Sequence, residues 1–119
     1  MFKVDRKYIT SVEPWEYLPV TEDEKYVLGE ALVMSETVTK CGASERPTHI
    51  CMGEVHGATV PVMPVLTTTR FEVPYTAKPA VGTVVTLADD AMQVTDTTGG
   101  AFTVTGVSEV TKTAFGYFK

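Results

Sequence analysis

The sequence predicts a small all-β domain, and three observations lead to this prediction. Valine and threonine supply nearly a third of the 119 residues, and both are β-branched residues that suit a pleated sheet better than a helix. No long stretch has a clean helical period, whereas many short runs alternate with a period of two or are apolar throughout. Turn residues separate these runs at intervals of about 8 to 12 positions, as in small β-proteins. We therefore expect a single β-barrel or β-sandwich of about eight short strands, since closing a sheet removes exposed edges.

An extended N-terminal arm, residues 1–25, is expected to precede the β-body, residues 26–119. The stretch VEPWEYLPV within the arm carries two prolines, and proline fixes φ and removes a backbone donor. We therefore expect the arm to run extended over a surface instead of lying in a central strand. Its most apolar side chains are Trp15, Tyr17 and Leu18. They either pack on this domain's own core or dock on another chain, because such side chains seldom lie in water without a partner.

Nine strand-like segments follow in the body. Gly29, in the first segment, is expected at a bulge or a close backbone approach. Pro61 and Pro64 should confine the fourth segment to a sheet edge or an irregular strand, because proline cannot donate to a sheet. The last four segments should form a meander of hairpins. In chain order the nine segments read YVLGEALVM, ETVTKC, THICMGEV, TVPVMPVL, TRFEVPY, GTVVTLA, AMQVT, AFTVTGV and TAFGYFK.

Charge and hydropathy exclude several classes of partner. The formal net charge is −5 and the basic residues are scattered, whereas nucleic-acid binding needs clustered lysine and arginine. The longest apolar runs, such as Ala31–Met34, fall far short of the roughly 18 to 20 residues that a membrane span needs. The first residues carry charges without the apolar region of a signal peptide. We expect no nucleic acid, no membrane and no classical secretion.

Catalytic patterns are weak throughout the sequence. No nucleophile-elbow motif frames any serine. The carboxylate pairs Glu22/Glu24 and Asp89/Asp90 fall in polar segments where solvent leaves their acidity ordinary. The glycine-containing TTGGAF lacks the lysine and the following helix of a phosphate-binding loop. The sequence therefore predicts that the protein is not an enzyme.

Both cysteines and both histidines of the chain fall between Lys40 and Gly57. Cys41, His49, Cys51 and His56 are thus the only candidates for a zinc site of cysteine and histidine, with the spacing Cys-x7-His-x-Cys-x4-His. Structural zinc sites usually take their ligands in tight pairs, and this spacing is not one. His49 and Cys51 would share one face of a strand, but Cys41 and His56 lie at opposite ends of the stretch. We predict no metal, no cofactor and, because cytosolic thiols stay reduced, no disulfide.

From Tyr26 to Lys119 the order of motifs resembles that of the head decoration proteins of tailed bacteriophages, which stabilise capsids. The resemblance is carried by YVLGEALVMS and ETVTKC, then RPTHICMGE, VPVMPV, FEVPY, VGTVVTL, MQVTDTTGGAFTV and a final aromatic strand. It implies a virion protein, made in the host bacterial cytoplasm, that binds the outer face of the capsid and cements neighbouring capsomers. The partners it implies are the major capsid protein and further copies of this chain in a homotrimer. This function requires no active site.

On this interpretation the arm supplies the anchors that bind the capsid. Trp15, Tyr17 and Leu18 are the first candidates, with Phe2 and Tyr8 behind them, and the alternative for each is packing in the chain's own core. Two other functions stay open. The chain is alternatively another β-barrel part of a phage particle, such as a tail or connector component, or a non-viral small β-barrel module that binds a sugar or another small ligand.

Overall fold

The structure is a computed structural model and describes residues 1–5 and 15–119. These residues form eleven strands and no helix, which confirms the all-β prediction. Since the described residues contain no helix, none is available that could cross a membrane. The strands are β1 (Lys3–Val4), β2 (Glu16–Pro19), β3 (Ala31–Met34), β4 (Val38–Lys40), β5 (His49–Cys51), β6 (Thr59–Pro64), β7 (Phe71–Pro74), β8 (Val84–Leu87), β9 (Val94–Thr98), β10 (Phe102–Ser108) and β11 (Thr113–Phe118).

The strands form two antiparallel sheets. The first sheet has the order β1-β7-β11-β10-β8-β9, and the second has the order β2-β6-β5-β3-β4. Each of the nine predicted segments overlaps one of the strands from β3 to β11. The described residues contain more strands than the eight or so expected, because the N-terminal part of the chain adds an edge strand to each sheet.

Both sheets curl toward closure through isolated parallel bridges. Val20, directly after β2, bridges to Val38 in β4, so the two edges of the second sheet meet. Tyr75, directly after β7, bridges to Val94 in β9 in the first sheet. Curling of this kind shortens the exposed edges, as the sequence led us to expect.

The edge position expected for the proline-bearing segment is wrong, because β6 lies between β2 and β5. The Pro61 carbonyl accepts a hydrogen bond from the Met52 N–H at 2.9 Å, just beyond the last residue of β5. A residue's N–H and C=O point toward the same neighbouring strand in an antiparallel sheet. The missing donor of Pro61 therefore faces a place where β5 has already ended. Pro64 is the last residue of β6 and lies beyond the residues that pair with β2.

An aromatic cluster lies in the core between the sheets. It consists of Phe2, Phe71, Phe102 and Phe118. Their ring centroids lie 5.2 to 5.9 Å apart, and most pairs meet edge to face, the arrangement that the charge distribution of aromatic rings favours. Residues of the second sheet, among them Ile50 and Met63, pack against the same core.

An aliphatic cluster is buried on the opposite face of the second sheet. It consists of Leu32, Val38, Cys51, Val60 and Val62. Neighbouring residues of one strand alternate between the two cores, as Ile50 and Cys51 do in β5. Leu18, Val20 and Tyr26 cover the aliphatic cluster.

Hydrogen bonds hold this cover in place. The Tyr26 hydroxyl donates to the Val38 carbonyl and accepts from the Thr21 N–H at 2.8 Å. The Thr21 hydroxyl also donates to the Val38 carbonyl, at 3.1 Å. The Lys40 N–H donates to Glu24 Oε2 at 2.9 Å. The part of the arm that follows residue 15 therefore lies on the body and covers the aliphatic cluster.

Candidate partner-binding surface

Two of the predicted anchors project from the edge strand β2 and its flank. Trp15 is 54% exposed and Tyr17 is 61% exposed. Leu18, the next residue, is half-buried and packs on the aliphatic cluster. This difference follows from the period of two in a strand, which sends successive side chains to opposite faces. Trp15 and Tyr17 are thus open to solvent, whereas Leu18 fastens β2 to the body.

Phe2 is not an exposed anchor but a core residue. Only 2% of its surface is accessible, and its ring lies within 6 Å of three other phenylalanine rings. Its backbone N–H donates to the Gly29 carbonyl at 2.9 Å. For Phe2 the alternative of packing in the chain's own core therefore holds. Tyr8, the remaining predicted anchor, lies outside the described residues.

An apolar cavity of about 460 Å³ opens beside Trp15. Met1 and Leu28 are exposed side chains on its walls. Its floor is formed by side chains of the core between the sheets, including Ile50 and Met63. The volume lies within the range of ligand pockets. Exposed tryptophan, leucine and methionine side chains around one cavity form the kind of surface that marks an interaction site.

Gly29 shapes the wall of this cavity. Its φ is +85°, and a Cβ built on it would lie 2.1 Å from the Cβ of Met1. Only glycine tolerates both the left-handed conformation and this approach. The Gly29 N–H donates to the Cys51 carbonyl at 2.8 Å. The close approach predicted for Gly29 is confirmed, but residues 26–30 precede β3 without belonging to a strand, and residues 27–30 form a turn instead of the predicted strand.

A hydrogen-bonded pair fixes β2 next to the cavity. His49 Nε2 lies 2.9 Å from Glu16 Oε1, and His49 Nδ1 lies 2.9 Å from the Thr48 hydroxyl. With both ring nitrogens in use, His49 ties the edge strand to β5. The imidazole therefore has a structural role here.

The four candidate metal ligands do not converge. Cys41 lies in the core between the sheets and Cys51 in the aliphatic cluster, on opposite faces of the second sheet. Both thiols are free, and His56 is an exposed residue of the turn that joins β5 to β6. Across residues 1–5 and 15–119, no three histidine, cysteine, aspartate or glutamate side chains are arranged to hold a metal ion.

The surroundings of the thiols make them poor nucleophiles. Burial raises the pKa of Cys41 to about 12, with the nearby Glu45 acting in the same direction. Burial also raises the pKa of Cys51, although the backbone of Gly53 partly offsets this effect. Because the thiolate is the reactive and metal-binding form, both cysteines behave as small core residues.

Sequence reasoning missed two walls of the cavity, Met1 and Leu28. The nearly continuous apolar run YVLGEALVM predicts that Leu28 lies in a strand. The signal that could have placed it in a turn is Gly29, since a glycine inside an apolar run often marks a change of backbone direction. Met1 lies beside Gly29 because the Phe2 N–H donates to the Gly29 carbonyl, a contact between distant parts of the chain.

In comparisons with family models, curated protein sequences and solved structures, nothing matched this chain.

Proposed function

We propose that this protein is a structural component of a tailed-phage particle, which binds the outer face of the capsid and cements neighbouring capsid subunits. The observation that carries the proposal is the pair of exposed aromatic side chains, Trp15 and Tyr17, beside an apolar cavity. The order of strand motifs from Tyr26 to Lys119, which resembles that of head decoration proteins, supports the choice of partner.

Exposed aromatic side chains are strong candidates for the anchors of such an interface. Tryptophan and tyrosine are enriched among the few residues that supply most of the binding free energy between proteins. They bury much apolar area while losing few rotamers. A cavity next to Trp15 would let a side chain of the capsid protein pack against the indole ring.

The anchors are held in place before any partner binds. β2 pairs with β6 along all four of its residues, Leu18 packs on the aliphatic cluster, and Glu16 is bonded to His49. A preorganised surface loses less conformational entropy on binding than a disordered arm does. The described residues from 15 onward therefore favour a rigid footprint.

The test is binding to empty heads assembled from the major capsid protein encoded near this chain's gene. The wild-type protein should co-sediment with the heads, and Trp15→Ala and Tyr17→Ala should each weaken binding at least about thirtyfold, the ~2 kcal/mol that defines an interface hot spot. Val110→Ala is the matched control, because Val110 is 95% exposed in a different turn and should bind like wild type.

Two outcomes would contradict the proposal. One is the absence of binding to these heads by the wild-type protein. The other would come from electron microscopy of the particle with the protein labelled. A label on the tail or connector would favour another role in the same particle. Undiminished binding by both aromatic variants would reject the anchor assignment alone.

The cavity favours a second candidate function, a module that binds a small apolar ligand. Trp15 is the only tryptophan of the chain and lines the cavity, so its fluorescence reports directly on occupancy. Titration with a medium-chain fatty acid should leave the emission unchanged if the cavity serves a protein partner. A saturable blue shift at micromolar ligand, lost in Leu28→Glu, which places a charge on the exposed wall of the cavity, would favour the ligand-binding function.

A further inference from the structure

Glu30 is a buried acid in the turn that forms the cavity wall. Only 3% of its surface is accessible. Within the described residues its Oε1 atom has no hydrogen-bond partner. An ionised carboxylate in such a place loses its hydration without gaining full compensation, so burial strongly favours the neutral acid.

The charged groups around Glu30 do not balance it. Lys40, at the end of β4, and a hydrogen bond from the Val27 backbone favour the ionised form of Glu30, whereas Glu24 and Asp90 oppose it and burial outweighs them all. The thiol of Cys51, in β5, lies near enough for Glu30 to influence its acidity. One cation thus faces two further carboxylates, and an ionised Glu30 would add a third negative charge to this group.

The backbone of Glu30 joins the cavity wall to the second sheet. Its carbonyl accepts from the Cys51 N–H at 2.9 Å, and its N–H donates to the Val27 carbonyl at 3.0 Å. Gly29, the preceding residue, bonds both to Cys51 and to the N-terminal strand through Phe2. Any movement of Glu30 toward water therefore pulls on residues 27–30 and on the wall that carries Leu28.

We propose that Glu30 is a proton-sensitive latch: its neutral form holds the turn 27–30 against β5, and its ionised form loosens that turn. Burial, the largest cause, raises the pKa of Glu30 above its ordinary value. A group with a raised folded pKa stabilises the folded state below its unfolded pKa, and that stabilisation is lost as the pH rises through the folded pKa. The latch is thus closed at acidic pH and weakens as the pH rises through the folded pKa, whether or not the protein binds a capsid.

The experiment compares wild type with Glu30→Gln, which keeps the shape of the side chain and cannot ionise. Urea unfolding is followed at pH 5.0 and pH 7.5. The unfolding constant of the wild type should rise between these pH values relative to that of Glu30→Gln, by at most about tenfold for each unit by which the folded pKa of Glu30 exceeds the lower of the two pH values. Glu36→Gln is the matched control, since Glu36 is exposed in the turn between β3 and β4 and should keep the wild-type pH dependence.

Amide hydrogen exchange locates the effect. After correction for the intrinsic pH dependence, the amides of Gly29, Glu30 and Cys51 should exchange at least several times faster at pH 7.5 than at pH 5.0 in wild type. They should not do so in Glu30→Gln. The Val104 amide, which bonds to the Thr83 carbonyl in the first sheet, should respond equally in both proteins.

A carbon-13 titration of the Glu30 carboxyl in the wild type gives a readout that does not depend on the folding of any variant. A midpoint at or below that of exposed glutamates would overturn the proposal. So would an identical pH dependence of unfolding in wild type and Glu30→Gln.

Discussion

The aromatic cluster and the aliphatic cluster differ in how they are closed. The aromatic cluster is enclosed by both sheets, with rings from β7, β10 and β11 and from Phe2. The aliphatic cluster has one sheet beneath it and is covered by Leu18, Val20 and Tyr26, which a few hydrogen bonds fasten. The aromatic cluster therefore stabilises the fold as a whole, whereas the aliphatic cluster fastens the segment that presents the candidate binding surface. Damage to the two cores should therefore have unequal and separable effects.

The largest effect is expected from removing a ring of the aromatic cluster. Phe118 is fully buried and its ring lies 5.2 to 5.7 Å from three others. Phe118→Ala should reduce the free energy of unfolding by about 3–5 kcal/mol, because it removes apolar contacts and leaves a cavity. Urea unfolding measures this loss. Phe118→Leu should lose clearly less, and equal losses in the two variants would show that the packing of the ring itself, and not the buried apolar volume, accounts for the loss.

A smaller effect is expected at the turn that shapes the cavity wall. Gly29→Ala must adopt a strained φ and also displace Met1, whereas Gly57→Ala has a φ of +63° and open space around its new methyl group. Gly57→Ala should cost about 1–2 kcal/mol from backbone strain alone. Gly29→Ala should cost about 1–3 kcal/mol more, because overpacking adds to the strain.

Thermal unfolding of the two glycine variants measures how much stability each one loses. Equal losses would mean that Met1 moves away freely and that the cavity wall is soft. Emission from Trp15 should change only in Gly29→Ala, since Gly29 and Trp15 line the same cavity.

The smallest effect is expected from loosening the cover of the aliphatic cluster. Tyr26→Phe removes the hydroxyl that bonds to Val38 and Thr21 and should cost about 1 kcal/mol. Exchange of the β4 amides should accelerate, while exchange in β10 and β11 should follow only the global loss. Tyr17→Phe is the control, because the Tyr17 side chain is exposed, and it should match wild type. Equal acceleration in both sheets would show that the two cores do not open separately.

The fold class and the strand segments of the body could be predicted because they depend on local signals. Valine and threonine mark the strands, and glycine and aspartate pairs mark the turns. The position of β6 could not be predicted, because Pro61 is tolerated only through the early end of β5, a property of another segment. The burial of Phe2 likewise depends on the pairing of Lys3 with Glu72, far along the chain.

Only part of the candidate site could be predicted, because the rest depends on contacts between distant segments of the chain. The sequence identifies Trp15 and Tyr17 as apolar residues in a segment that contains prolines. That these two side chains are exposed while Leu18 is half-buried depends on which face of the strand meets the core. Alternation alone predicts that Tyr17 and Leu18 point to opposite faces. Which of the two faces is buried follows only from the pairing of β2 with β6. Leu28 and Met1 were missed because they meet Trp15 only in the folded chain.

The two prolines of β6 have a consequence for the pairing of the second sheet. Both faces of β6 are apolar and buried, so a slip by one residue would still bury apolar side chains, and hydrophobicity alone specifies the register weakly. Such a slip would also turn the nitrogen of Pro61 toward β2, where a carbonyl requires a donor. Pro61 and Pro64 seemed to interrupt the strand, but they instead specify its register. They select one pairing of β6 among several that its apolar residues would accept.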